Sequence, residues 1–375
     1  MSAPAIIQTL VTRFRESREL YRSGRYNETQ LRNEFLNPFF ETLGWDMYNR
    51  SNYAPQYREV IHEDSLEIES DGSTKAPDYA FRLGTARKFF VEAKKPKVNI
   101  RYEIEPAYQL RRYAWNAHLP LSILTDFEEL AVYDCRTRPD PKDSAATGRV
   151  MLFTYEEYLT RWEELAQIFS REAVWNGSFD RYAEGTKGKR GTTEVDTEFL
   201  KEIEQWRFHL ARNIALRNFR PTNPSTPSDT LSTPSSLPGV PLAGEGELKG
   251  VNNPHRAERQ LNYAVQTTID RILFLRICED RKIEPTDQLL QVAEGTDIYT
   301  HLLALFQKAD QKYNSGLFHF KEEKSQTSAP DTFTPNLKID DKVLRQIIKS
   351  TYYPCPYMFN EIPVEILGQV YEQFL

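Results

Sequence analysis

The residues best suited to chemistry are Pro77-Asp78 and, after thirteen intervening residues, Glu92-Ala93-Lys94. Along a β-strand successive side chains alternate, so Phe90, Glu92 and Lys94 share one face while Phe89, Val91 and Ala93 share the other. A carboxylate and an ammonium group two residues apart therefore project into one cleft, and Asp78 on an adjacent strand can supply a second carboxylate. Two carboxylates and a backbone carbonyl, that of Ala93, make a hard oxygen site suited to Mg²⁺. A lysine beside such a site can orient or deprotonate a water and stabilise charge developing on phosphate. Phosphodiester hydrolysis needs that combination. The bare pattern is common: Pro-Asp recurs at 139 and 330, and acid-x-Lys triplets begin at Glu247, Asp310, Glu322 and Asp340. Only the first lies in an apolar run, Phe89-Phe-Val-Glu-Ala-Lys-Lys-Pro96, after a strand carrying an aspartate. The alternative is an edge strand with a surface Glu–Lys pair, which adds little to stability.

The elements around this pattern follow from periodicity. Ile6, Leu10, Val11, Phe14 and Tyr21 have near-helical spacing. A second helix is predicted from Asn27 to Gly44, a fitting C′ residue, with Pro38 imposing a kink or break. Short β-like runs follow at 57–62, 76–83 and 88–94, then a helix over 104–117, strands over 121–125, 129–133 and 150–153, and a helix over 155–169. Strands interleaved with helices indicate an α/β or α+β domain with a mixed sheet. A helix with an N-terminal capping box is expected over 193–219. Six prolines (Pro221, Pro224, Pro227, Pro234, Pro238 and Pro241) then mark a Pro/Ser/Thr-rich stretch that cannot bury a core. The residues beyond it read as all-helical.

Composition sets limits. With 375 residues, 39% hydrophobic and 27% charged, the chain can build more than one core and is not wholly disordered. Its net charge of -6 requires any nucleic-acid surface to be a local patch. Lys94, Lys95, Lys97 and Arg101, with Arg111 and Arg112 beyond, form one such basic region, and Lys187-Gly-Lys-Arg190 another. Solvated faces are the ordinary explanation of such clusters. Three scattered cysteines, Cys135, Cys278 and Cys355, argue against disulfides or a zinc site and suit a reducing compartment. No signal peptide or apolar run of ~18 residues appears, so a cytoplasmic protein without membrane association is expected. The six histidines have no HExxH spacing, and neither a Gly-x-Ser-x-Gly elbow nor a phosphate-binding glycine loop is present.

The segment around Asp78, Glu92 and Lys94 resembles the PD-(D/E)xK nuclease superfamily, more closely the nuclease domains of type I restriction subunits and type IIG restriction–modification enzymes. Glu34, followed by Phe39-Phe-Glu-Thr-Leu-Gly-Trp45, is similar to the family helix that carries an acidic active-site residue. Gln109-Leu-Arg-Arg-Tyr113 is similar to the Gln-x-x-x-Tyr motif after the catalytic strand; Gln109 and Tyr113, at i and i+4, share a helix face. By itself Gln109–Tyr113 also reads as part of an ordinary amphipathic helix, and Glu34 as a solvated residue. The resemblance covers roughly residues 25–170. It implies a restriction-endonuclease-like α/β fold, a mixed sheet flanked by helices, hydrolysing double-stranded DNA with Mg²⁺. Asp78 and Glu92 would be metal ligands with the Ala93 carbonyl, Lys94 the water-activating or charge-stabilising group, and Glu34 an accessory acid. Gln109, Tyr113, Lys95, Lys97 and Arg101 would contact DNA.

Further on, Leu273-Phe-Leu-Arg-Ile-Cys-Glu-Asp-Arg281 resembles the all-α connector of type IIG enzymes, and the tail from Ile362 resembles the opening helix of their methyltransferase module. The expected organisation is a nuclease domain over 1–175, a helical extension over 176–219, a disordered linker over 220–250 and a helical connector over 251–375. The motifs for S-adenosylmethionine binding and adenine methylation do not occur in these residues, which implies a truncated product or the first part of a split one. The alternatives are a non-catalytic fragment that binds DNA or a separate methyltransferase/specificity polypeptide, and a protein classed with its relatives as an adenine-specific methyltransferase.

Overall fold

The computed structural model describes residues 3–62, 77–186, 195–219, 254–313, 316–321 and 329–361. The expected linker, the basic Lys187–Arg190 loop, the capping box before Val195 and the tail from Ile362 lie outside the described residues. Contacts divide the chain into two units: Met1–Glu198 with Pro356–Glu361, and Phe199–Cys355 with Ile362–Leu375.

The first unit opens with α1 (Ala5–Glu16) and α2 (Arg18–Arg22). Ile7, Leu10, Val11 and Phe14 are buried at i, i+3, i+4 and i+7, so Ile7 rather than Ile6 joins the core; Ile6 is exposed. The next helical stretch comprises α3 (Glu28–Leu31), a π-helical turn (Arg32–Leu36) and α4 (Asn37–Thr42). Asn27 and Gln30 cap its start reciprocally. Pro38 has no N–H for the Glu34 carbonyl four residues back, and the wider π turn relieves the clash its ring would make there. The Glu34 carbonyl instead accepts from Arg13 Nη2 at 2.8 Å. Gly44, at φ +91°, ends the helix: its N–H reaches the Glu41 carbonyl and that of Trp45 the Phe40 carbonyl, the paired bonds of a Schellman cap.

Six strands form one sheet in sequence order: β1 (Val60–His62), β2 (Tyr79–Leu83), β3 (Ala86–Ala93), β4 (Leu121–Thr125), β5 (Glu129–Asp134) and β6 (Arg149–Thr154). The first strand is shorter than the expected 57–62 because Pro55–Tyr57 form a 3₁₀ turn. Only β3 and β4 run parallel, and that pairing needs a crossover, supplied by α5 (Ile104–Asn116). The sheet is therefore mixed and flanked by helices. On one face Tyr79, Phe81, Phe89, Val91 and Ala93 pack with α1, α4 and α6 (Trp162–Phe169). On the other, Ala80, Phe90 and Leu124 pack with Ala107, Leu110, Tyr113 and Ala114 of α5. The alternation along β3 is thus used on both faces. Instead of one helix over 155–169, a 3₁₀ turn at Glu157–Leu159 precedes α6, and α7 (Arg171–Trp175) and α8 (Ser178–Gly185) follow.

Residues Pro356–Glu361 belong to this unit and brace α5. Arg112 Nη2 donates to the Tyr357 carbonyl and Asn116 Nδ2 to the Pro356 carbonyl, each at 2.7 Å, while Met358 N–H donates to Asn116 Oδ1. Every regular element among the described residues of the second unit is helical. That unit contains most of α9 (Val195–Asn218), then α10 (Pro254–Asp280), α11 (Gln288–Glu294), α12 (Ile298–Tyr313) and α13 (Asp341–Lys349). The middle of α10 is buried, and within it Arg271 pairs with Asp331 at 2.9 Å with both side chains almost fully enclosed. No helix among the described residues is long and apolar enough to cross a membrane.

Candidate functional site

The β2–β3 register brings the two acidic residues together. Tyr79 is paired with Val91 and Ala80 with Phe90, so one step further along the antiparallel ladder Asp78 stands opposite Glu92. Asp78 Oδ2 accepts the Ala93 N–H at 2.7 Å, locking the aspartate to the end of β3. Lys94 is anchored by its own N–H to the Thr125 carbonyl of β4, and its Nζ donates to Glu92 Oε1 at 2.6 Å. The same Nζ lies 3.4 Å from Gln109 Oε1, and Gln109 Nε2 donates to the Tyr113 hydroxyl at 3.1 Å. Asp78, Glu92, Lys94, Gln109 and Tyr113 therefore form one connected cluster, built by two strands and the crossover helix.

Its electrostatics are set by burial. The Glu92 side chain is only 4% exposed. Burial, then the neighbouring Asp78 charge, push its carboxyl up to about 8, against the pull of Lys94. Burial also raises Asp78, opposed by the Ala93 N–H and by the Arg32 guanidinium. Burial works against the Lys94 charge, but Glu92 outweighs it and holds the ammonium above the ordinary lysine value. Glu92 Oε2 is buried and has no hydrogen-bond partner. An unpaired carboxylate oxygen in such a place is costly unless something cationic completes it. The donor set fits Mg²⁺, which retains several waters and needs only one or two carboxylates. No group of three or more acidic, histidine or cysteine side chains placed to hold a metal occurs among the described residues.

The remaining expected residues lie elsewhere. Glu34 is half-exposed and pairs through Oε2 with Arg13 at 3.3 Å, outside the cluster. Glu28 is the helix acid whose charge is felt at Asp78, Glu92 and Lys94. Glu28 and Arg32 stand at i and i+4, a spacing visible in the sequence, whereas Glu34 lies within the π turn, two residues past Arg32 and off their shared face. Arg32 Nη1 reaches Asp78 Oδ1 at 2.9 Å with both side chains largely covered. Lys95 and Lys97 are exposed beyond β3, while Arg101 is held by Glu129, its Nε 2.7 Å from Oε1. Arg111 and Arg112 do not contribute to a basic face: Arg111 is buried against Asp143 at 2.7 Å, and Arg112 is buried beneath the Tyr357 carbonyl.

Residues 25–141 match the family described as type I restriction enzyme R protein N terminus. The chain is also 35% identical, over 98% of its own length, to the type II restriction enzyme and methyltransferase RM.Eco57I of Escherichia coli. It spans 32% of that protein, about a third of its length. No solved structure matches. By sequence the chain is thus similar to the N-terminal part of a restriction enzyme, and the family match contains the whole Asp78–Glu92–Lys94 cluster.

Proposed function

We propose that the first unit is an endonuclease that hydrolyses phosphodiester bonds of double-stranded DNA with Mg²⁺. The observation that carries this reading is the placement of Asp78 opposite Glu92, whose buried Oε2 lacks a partner, beside a charged lysine. The restriction enzymes it resembles supply the substrate class. Asp78, Glu92 and the Ala93 carbonyl would hold the metal, which when bound supplies Lewis-acid activation of a water and of the phosphate. Lys94, held as an ammonium, stabilises charge on the scissile phosphate; it is a poor base while Glu92 raises it. Gln109 orients the Lys94 ammonium through Oε1 and is itself oriented by the Tyr113 hydroxyl. Glu28 replaces Glu34 as the accessory acid, tuning the cluster through its charge. Lys95 and Lys97 contribute phosphate contacts at the rim. A methyltransferase or specificity polypeptide is a proposed partner, because the relative's name joins restriction with methyl transfer.

The test is nicking of supercoiled plasmid with Mg²⁺. Asp78→Asn and Lys94→Ala should each abolish it, with the fold verified by circular dichroism. Nicking that persists in either variant would overturn the site assignment.

A further inference from the structure

Both oxygens of Asp78 are engaged. Oδ2 takes the backbone N–H of Ala93, a bond within the strand ends, whereas Oδ1 takes Arg32 Nη1 at 2.9 Å. The Arg32 and Asp78 side chains are 14% and 17% exposed, so this ion pair is well shielded from solvent. Arg32 comes from the first position of the π turn, and its guanidinium lies 6.0 Å from the centre of the Tyr79 ring. Across the ladder Glu92 shows the opposite condition, with Oε1 on Lys94 and a buried Oε2 without a donor. Each carboxylate of the pair thus has a cation seated on one oxygen, and only Glu92 keeps its other oxygen open.

We infer that Arg32 is a placeholder for the divalent cation: it neutralises Asp78 in the metal-free protein and must release Oδ1 before Asp78 can serve as a metal ligand. This rests on the proposed metal site. Releasing a charge-assisted bond from a covered pair is unfavourable unless the guanidinium finds another anion. The phosphate backbone of DNA is such an anion, and a guanidinium matches its oxygens in a fork geometry. Arg32 then leaves Asp78 for a phosphate as the substrate arrives, which makes metal and DNA binding mutually reinforcing. The metal-free site keeps a low affinity for cations until substrate is present.

The experiment is calorimetric titration with Mn²⁺ alone, without DNA, on the full chain. Arg32→Met should bind Mn²⁺ about tenfold or more tightly than the unaltered protein, because the competing charge-assisted bond is gone. Its DNA cleavage should nevertheless fall, since the group that engages phosphate has been removed. Arg32→Gln, also uncharged, serves where Arg32→Met fails to fold, and the same gain is expected. Mn²⁺ affinity that stays level or weakens in the folded variant would overturn the placeholder role. Asp78→Asn separates the two ideas: if it binds Mn²⁺ like the unaltered protein, the metal-site reading itself fails. If Asp78→Asn loses the ion while the Arg32 variant does not gain, only the placeholder fails.

Discussion

Replacing Glu92 by glutamine in the metal-free protein isolates what the site costs the fold. Burial holds the Glu92 carboxyl to about 8, whereas an unfolded chain releases the proton near 4.3, roughly the value of an exposed glutamate. Between those limits the folded protein binds a proton that the unfolded chain has lost. Stability therefore falls as pH rises through this window and levels off above it. Each pH unit is worth about 1.4 kcal/mol, so the penalty grows by a few kcal/mol between about pH 5 and pH 7. Glutamine carries no such proton. Its buried amide lacks an acceptor where Oε2 stood, a loss costing on the order of 1–3 kcal/mol. That loss is set against the pH-dependent penalty that the variant escapes. Thermal melts in EDTA across this range should show Glu92→Gln gaining on the unaltered protein with rising pH. For a unit of this size the relative gain is roughly 5–10 °C from about pH 5 to pH 7. Adding Mg²⁺ at about pH 8 should raise the melting point of the unaltered protein and leave Glu92→Gln almost unmoved. Melting curves that stay parallel across pH would refute the claim that Glu92 is held protonated by burial.

Two further outcomes are expected. Glu28→Gln should weaken Mn²⁺ binding and slow plasmid nicking, whereas Glu34→Gln should leave both in place and cost only about 0–1 kcal/mol, as exposed pairs do; equal effects in calorimetry would put the assignment of Glu28 over Glu34 in error. Gly148→Ala should destabilise the first unit by roughly 1–3 kcal/mol, because Gly148 sits at φ +76° and an added Cβ would stand 2.9 Å from the Asp134 carbonyl oxygen and 3.2 Å from Arg111 Nε. A melting temperature equal to that of the unaltered protein would contradict that reading.

Local periodicity was enough for the pieces. The two-residue alternation of Phe89 to Lys94 determined which side chains share a face, and the i, i+4 spacing of Gln109 and Tyr113 determined that they meet. Gly44 ended its helix because only a residue tolerant of positive φ fits there. These depend on nearest neighbours along the chain, so sequence expresses them directly. The mixed sheet was also legible in outline, since a helix between two strands permits a parallel pair. The choice of acid on the second helix was not. Helical spacing aligns Glu28 with Arg32, but that this face rather than that of Glu34 looks toward Asp78 is set by how the helix packs against the sheet. Nor could charge counting tell Arg111 and Arg112, buried on Asp143 and Tyr357, from the exposed Lys95 and Lys97. Their partners lie 32 and 245 residues away. The sequence by itself determined that two carboxylates and a lysine would lie on or next to strands; Glu92 lies within β3, while Asp78 stands just before β2 and Lys94 just after β3. Only the tertiary structure decided that Asp78 faces Glu92, that Arg32 occupies Asp78, and that one oxygen of Glu92 is buried without a partner. Register, burial and desolvation arise from contacts between distant segments, and those contacts exist only once the sheet and its helices have closed around the site.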